Sequence, residues 1–158
     1  MVAHHAVGAL EGRFRALRFS KAERRAVTHL LSFADVDPAS LLDGPAVKGF
    51  VARVTRDAVA PLFDYRQAVD DAATGKAWAE LASRVAALDA LAAPLHPREL
   101  AIDGRVILET LGVEPSRRIG ETLDILLREV WRRPEANTRA ELLLRLPDAY
   151  ARSAETAP

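Results

Sequence analysis

The apolar residues of this chain recur at intervals of three and four, and nowhere alternate in period two long enough to make a strand. That spacing puts them on one side of an α-helix and leaves a β-sheet without a buried face. Trp78, Leu81, Val85 and Leu88 form one such stripe, and Ile119, Leu123, Leu126 and Val130 form another. Aromatics are 6% of the chain while hydrophobic residues are 49%, so Leu, Ala and Val must build the core. Small and aliphatic side chains of this kind favour helix packing over a sandwich. The expected fold class is all-α, with about seven to eight helices in two packed lobes and no sheet.

Start and stop signals divide the chain further. A polar helix is expected from His4 to about Leu17. Ser20-Lys-Ala-Glu23 has the form of a capping box and opens a helix with Ala26, Val27, Leu30 and Leu31 on its apolar face. Asp35-Val-Asp-Pro38 ends it. Pro45 suits the start of the next helix, whose buried face is Val47, Phe50, Val51 and Val54. A helix from about Asp57 to Ala73 then contains Pro61, with Gly75 as its C-terminal cap, and another runs from about Lys76 to Ala92. Pro94-Leu-His-Pro97 is the best internal boundary, because two prolines stop a helix and stiffen the connection. After it come a short helix at Gly104–Leu111, a longer one at about Ser116–Arg132, and a last one capped by Asn137 or Thr138. The expected division is residues 1–93, residues 98–150 with a helix-turn-helix hairpin, and a frayed tail at 151–158.

Composition excludes several functions. There is no cysteine, hence no disulfide framework, thiolate metal site or Cys nucleophile. No apolar run approaches the roughly 20 residues of a membrane span, and no secretory segment is apparent, so a cytoplasmic protein without a membrane partner is expected. The 22 basic and 22 acidic residues cancel. They are unevenly spread, with six basic and two acidic residues in 1–33. Nineteen of the 22 cations are Arg, the better residue for phosphate and for stacking. Arg13, Arg15, Arg18, Lys21, Arg24 and Arg25 make a basic face that is either a solvated surface or a phosphate track for an RNA stem.

Catalytic and metal patterns are sparse. His4, His5, His29 and His96 include no His-Asp pair of the phosphohydrolase type, and no nucleophile elbow supports a Ser-His-Asp hydrolase. Asp35 and Asp37 have the spacing of a metal-binding pair but lie in a turn. No metal site or catalytic residue is assigned. The most informative segment is 100–120, in which a short helix ends at Gly112, a turn carries Pro115, and a new helix starts with Arg117, Arg118 and Gly120. Free N–H groups at that start and the two guanidinium groups could hold a phosphate. An ordinary helical hairpin with a glycine at a close crossing would read the same way.

Here the order of residues resembles the C-terminal region of bacterial tRNA nucleotidyltransferases, the CCA-adding enzymes and their poly(A) polymerase relatives. Leu100-Ala101-Ile102 with Gly104, Leu111-Gly112-Val113 with Pro115, Ile119-Gly120, and Asn137-Thr138-Arg139 before Leu142-Leu143 match that family's motifs in order and spacing. Upstream, His4 with Gly8-Ala9, Leu17-Arg18-Phe19-Ser20, and Leu62-Phe63 through Asp70 are similar to its neck and body. Val106 stands where the family has Asp, and Ser116-Arg117 where it has Gly-Pro. The resemblance implies a domain that clamps the acceptor arm of tRNA, with Gly112, Pro115, Arg117, Arg118, Gly120, Arg18, Lys21 and Arg25 as RNA-binding residues. The family's catalytic head, with its paired carboxylates, Mg²⁺ and nucleoside triphosphate, has no counterpart here. The chain alone is therefore expected to need no cofactor and to add no nucleotide. Its expected partners are tRNA and the head domain, with a homodimer left open. The alternative function is a helical protein-interaction or dimerisation domain without RNA binding.

Overall fold

A capping box sets the first complete helix. In the computed structural model, which describes residues 14, 16–90 and 94–154, Ser20 Oγ accepts from the Glu23 N–H and Glu23 Oε2 accepts from the Ser20 N–H at 2.7 Å. Two of the helix's free donors are satisfied in this way. The described residues form seven α-helices and no strand. They are α1 (Lys21–Leu31), α2 (Gly44–Val54), α3 (Arg56–Val69), α4 (Ala72–Ala90), α5 (Gly104–Leu111), α6 (Arg117–Arg132) and α7 (Arg139–Ser153). Short 3₁₀ turns at Pro38–Ser40, Pro97–Glu99 and Pro134–Ala136 each begin with proline, whose fixed φ suits the first position of a turn. The fold is all-α, as the periodicity requires. The expected helix from His4 lies almost entirely outside the described residues, as do Arg13 and Arg15.

Several boundaries differ from the sequence expectation. Gly75 caps nothing; it lies inside α4, and its N–H donates to the Asp71 carbonyl. The break comes earlier, at Asp70, whose backbone is extended. Asp71 Oδ1 then accepts from the Thr74 N–H and starts the new helix. Pro61 sits within α3 in its second turn, where the missing N–H forgoes the bond to the Asp57 carbonyl that another residue would make. Helix α7 continues past Tyr150 to Ser153, which is fully buried.

Contacts divide the chain into two compact units: residues 1–42 with 50–84, and residues 43–49 with 85–158. The first unit is built round aromatic rings. Phe33 meets Phe50 edge-on at 6.1 Å, and Phe50 and Phe63 both pack on Trp78. Phe50, Val54, Leu62, Trp78 and Leu81 are fully buried. Arg66 lies over the Trp78 ring at 5.1 Å, pairs with Asp70 at 2.9 Å and donates to the Ala34 carbonyl. Helix α1 is different. None of its side chains is buried, Val27, Leu30 and Leu31 are half-buried, and Ala26 is exposed.

The second unit is aliphatic. Leu100, Ile102, Ile107, Leu126, Val130, Leu142 and Leu146 form its centre. Asp103 caps α5 by accepting from the Val106 N–H, and Gly112 ends it at φ 63°, ψ 36°. That left-handed conformation costs most residues about 1 kcal/mol and glycine almost nothing. Thr138 caps α7 by accepting from the Glu141 N–H. Asn137 does something else. Its Oδ1 accepts from the Ala101 N–H at 2.9 Å, and its Nδ2 donates to the Glu99 carbonyl at 3.1 Å. One side chain thus ties the start of the last helix to the loop that precedes α5.

Candidate nucleic-acid interface

The turn from Gly112 to Ser116 and the start of α6 form the leading candidate from sequence. Residues 113–116 are irregular, Pro115 is exposed, and Ser116 occupies the N-cap position without a side-chain bond to the helix. Arg117 is 82% exposed and pairs with Glu121 at 3.0 Å, one turn along the same helix. An exposed pair of this kind is weak, and the guanidinium stays available to solvent.

Arg118 turns the other way. Its guanidinium carbon lies 3.7 Å from the centre of the Tyr150 ring. Its Nε donates to the Tyr150 carbonyl and to Ser153 Oγ. Thr122 Oγ1 donates to the Arg118 carbonyl at 2.8 Å and lies 3.2 Å from Ser153 Oγ, which donates to the Tyr150 carbonyl. Arg118 therefore ties the first turn of α6 to the last turn of α7. The sequence expectation groups it with Arg117, and the two have different roles. Arg side chains at successive helix positions diverge by about 100°, so one can face solvent while the other faces a neighbouring helix.

The close approach expected at Gly120 occurs at Gly104. A Cβ on Gly104 would sit 3.2 Å from the Ile119 side chain, whereas nothing lies within 4 Å of a Cβ built on Gly120. Gly120 is exposed within α6, where glycine costs roughly 0.5–1 kcal/mol against alanine. Gly120→Ala should therefore raise stability by about that amount in urea unfolding. A loss of stability would mean that the open space is occupied. Val106, at the position of the family's Asp, packs against the core of this unit.

The concavities on described surfaces include three lined by charged side chains. Two of them, of about 300 and 340 Å³, share Glu129 and Arg145 on α6 and α7. The charges of Glu129, Arg145 and Arg152 are spent on each other and on Glu141. Arg145 pairs with Glu141 and lies near Glu129, and Arg152 pairs with Glu129 at 2.6 Å. The third, of about 610 Å³, lies on α1 and is lined by Lys21, Arg24, Arg25, Thr28, His29 and Ser32. None of the described residues that line it is acidic. His29 is anchored, with Nε2 2.8 Å from the Val54 carbonyl and its ring edge-on to Phe33. Since a carbonyl only accepts, Nε2 carries the proton. Sequence reasoning names Lys21 and Arg25 as site residues but does not place Thr28, His29 and Ser32 beside them. The helical spacing 21, 24/25, 28/29, 32 holds that information.

Arg18 stands just before this helix, exposed, with φ 56°. The Phe19 N–H donates to the Phe14 carbonyl at 3.0 Å, and the two rings pack at a tilt with centroids 5.4 Å apart. This is the Schellman arrangement, in which the left-handed residue is usually glycine. Among the described residues, no group of three or more His, Asp or Glu is placed to hold a metal ion, and no helix is long and apolar enough to cross a membrane. No family model, curated protein or solved structure matches the chain.

Proposed function

We propose that this chain is the RNA-holding C-terminal part of a tRNA nucleotidyltransferase-like protein, acting in the cytoplasm with a catalytic head that carries the Mg²⁺ and nucleotide chemistry. The observation that carries this reading is the ordered run from Leu100 through Gly104, Gly112, Ile119-Gly120 and Asn137-Thr138 to Leu142. Most of those residues have a physical task in the second unit. Leu100, Ile102, Ile119 and Leu142 fill the core, Gly104 admits Ile119, Gly112 turns the chain, Asn137 ties two loops and Thr138 caps α7. Gly120 is the exception, since packing gives it no task. Duplex RNA is recognised by shape and backbone, so a domain of this kind needs exposed cations more than base-reading side chains.

The rival reading, a helical interaction or dimerisation domain, draws support from Arg118, which is engaged within the fold, and from Leu144, which is 75% exposed on α7. An electrophoretic shift with tRNA separates the two. The RNA-holding reading expects binding at low salt that weakens steeply between about 50 and 200 mM, because phosphate contacts release counterions. Absence of any shift at low salt would hand the case to the interaction domain.

A further inference from the structure

We infer that the outer face of α1 is a contact surface for the phosphate backbone of duplex RNA, and that it, rather than the start of α6, supplies most of the chain's electrostatic affinity. The inference rests on the RNA-holding reading for the kind of polyanion. The surface itself stands on charge and geometry.

Lys21, Arg24, Arg25, Thr28, His29 and Ser32 follow each other at helical spacing and line one concavity with no acid among the described residues. On a helical wheel they fall within about 140° of one another. Glu23, the acid of α1, lies on the opposite side, and its carboxylate is bound to the Ser20 N–H. Hydrogen bonding to the Ser20 side chain first, and to its backbone N–H second, holds the Glu23 pKa below the usual carboxylate range. Several cations on other helices are answered by acids: Arg66 by Asp70, Arg105 by Glu109, Arg117 by Glu121, and Arg145 by Glu141. A chain of zero net charge can still present a local positive field where cations cluster with no described acid beside them, and α1 is such a place.

Core packing does not explain Lys21, Arg24 and Arg25, which are exposed on a helix that buries no side chain. Arg18 adds a second argument. An arginine at φ 56° pays a backbone penalty of roughly 1 kcal/mol that glycine would avoid. Its exposed guanidinium stands two residues before the cap of α1, beside the same run of charge. Helix α1 is about 16 Å long at 1.5 Å per residue, enough to follow several phosphates of one strand.

The test compares the parent with Lys21→Ala/Arg24→Ala/Arg25→Ala, and separately with Arg18→Gly, against tRNA and against a short unrelated RNA duplex. The capping box is untouched in all variants. The triple variant should lose about tenfold or more in affinity for both RNAs at low salt, and its log–log salt slope should become shallower by about two to three. Arg18→Gly should keep or raise the thermal midpoint while weakening binding, a combination that a merely structural role would not give. If the triple variant loses its cooperative melting transition, the single reversal Arg24→Glu carries the same expectation with a smaller change. Unchanged affinity and slope in a folded variant overturns the inference, as does a parent that binds neither RNA, or one that binds an acidic peptide and no RNA. Duplex binding through α1 without preference for tRNA would uphold the inference while counting against the tRNA reading.

Discussion

Leu126→Ala should destabilise the chain by about 3–5 kcal/mol, while Leu144→Ala should change stability by less than about 0.5 kcal/mol. Leu126 is fully buried at the centre of α6, against the aliphatic cluster of the second unit. Truncation removes its transfer energy and leaves a cavity that rigid neighbours cannot fill. Leu144 is the third leucine of Leu142-Leu143-Leu144. It points to solvent, whereas Leu142, two residues away, is fully buried. Denaturant unfolding followed by circular dichroism measures both. Similar costs for the two variants would mean that α7 is rotated from the orientation described above, or that Leu144 is covered in solution by a second copy.

That leucine triplet also indicates what the sequence makes legible. Periodicity locates the helices, because a helix in a folded chain owes most of its stability to burying one apolar stripe, and the stripe leaves a repeating mark. It locates Val47, Phe50, Val51 and Val54 as a buried face, and all four are buried. Local capping is equally plain at Ser20, Thr138 and Gly112, where the determining atoms lie within three or four residues of each other. The helix start at Asp71 escapes a sequence reading because Gly75 offers a competing stop signal. An Asp that caps through its own side chain outweighs a glycine that any helix can contain at modest cost.

Tertiary partnerships are not legible. Nothing local to Arg118 points to Tyr150, 32 residues away, and nothing local to Asn137 points to Glu99 and Ala101. The same gap affects the candidate site. Arg117 and Arg118 look equivalent in sequence, but only contact with α7 distinguishes them. On α1 the reverse holds. Its basic face is visible from sequence because the stripe is local. What becomes apparent in three dimensions is that none of the described residues lining the concavity there is acidic.

Lys48→Ala should cost about 3 kcal/mol or more, because it removes a buried charge-assisted bond and leaves a void. Lys48 lies on α2 and is only 3% exposed, and its Nζ donates to the Trp131 carbonyl at 2.6 Å. That carbonyl is among the last of α6, which lack partners within the helix, and a cation there also answers the negative end of the helix dipole. Trp131 is held from its other side, with Nε1 donating to the Pro94 carbonyl, and its ring packs on Gly49. Burial lowers the Lys48 pKa from 10.5, and the charge of Glu135 partly opposes the shift. The sign of the pH effect follows. Between the lowered folded value and 10.5 the unfolded chain holds a proton that the folded chain has released, so folding gains stability as pH rises through that window. Lys48→Met keeps most of the volume but has no such titration. The parent's stability relative to Lys48→Met should therefore rise as pH is raised from 7 toward about 10. It should fall back on return to neutral pH, where the full cost of burying the ammonium is restored. Urea unfolding of the two proteins across that range reads the difference directly. A relative stability that falls with rising pH would mean that the attraction of Glu135 outweighs burial, and that Lys48 is held as an ion pair.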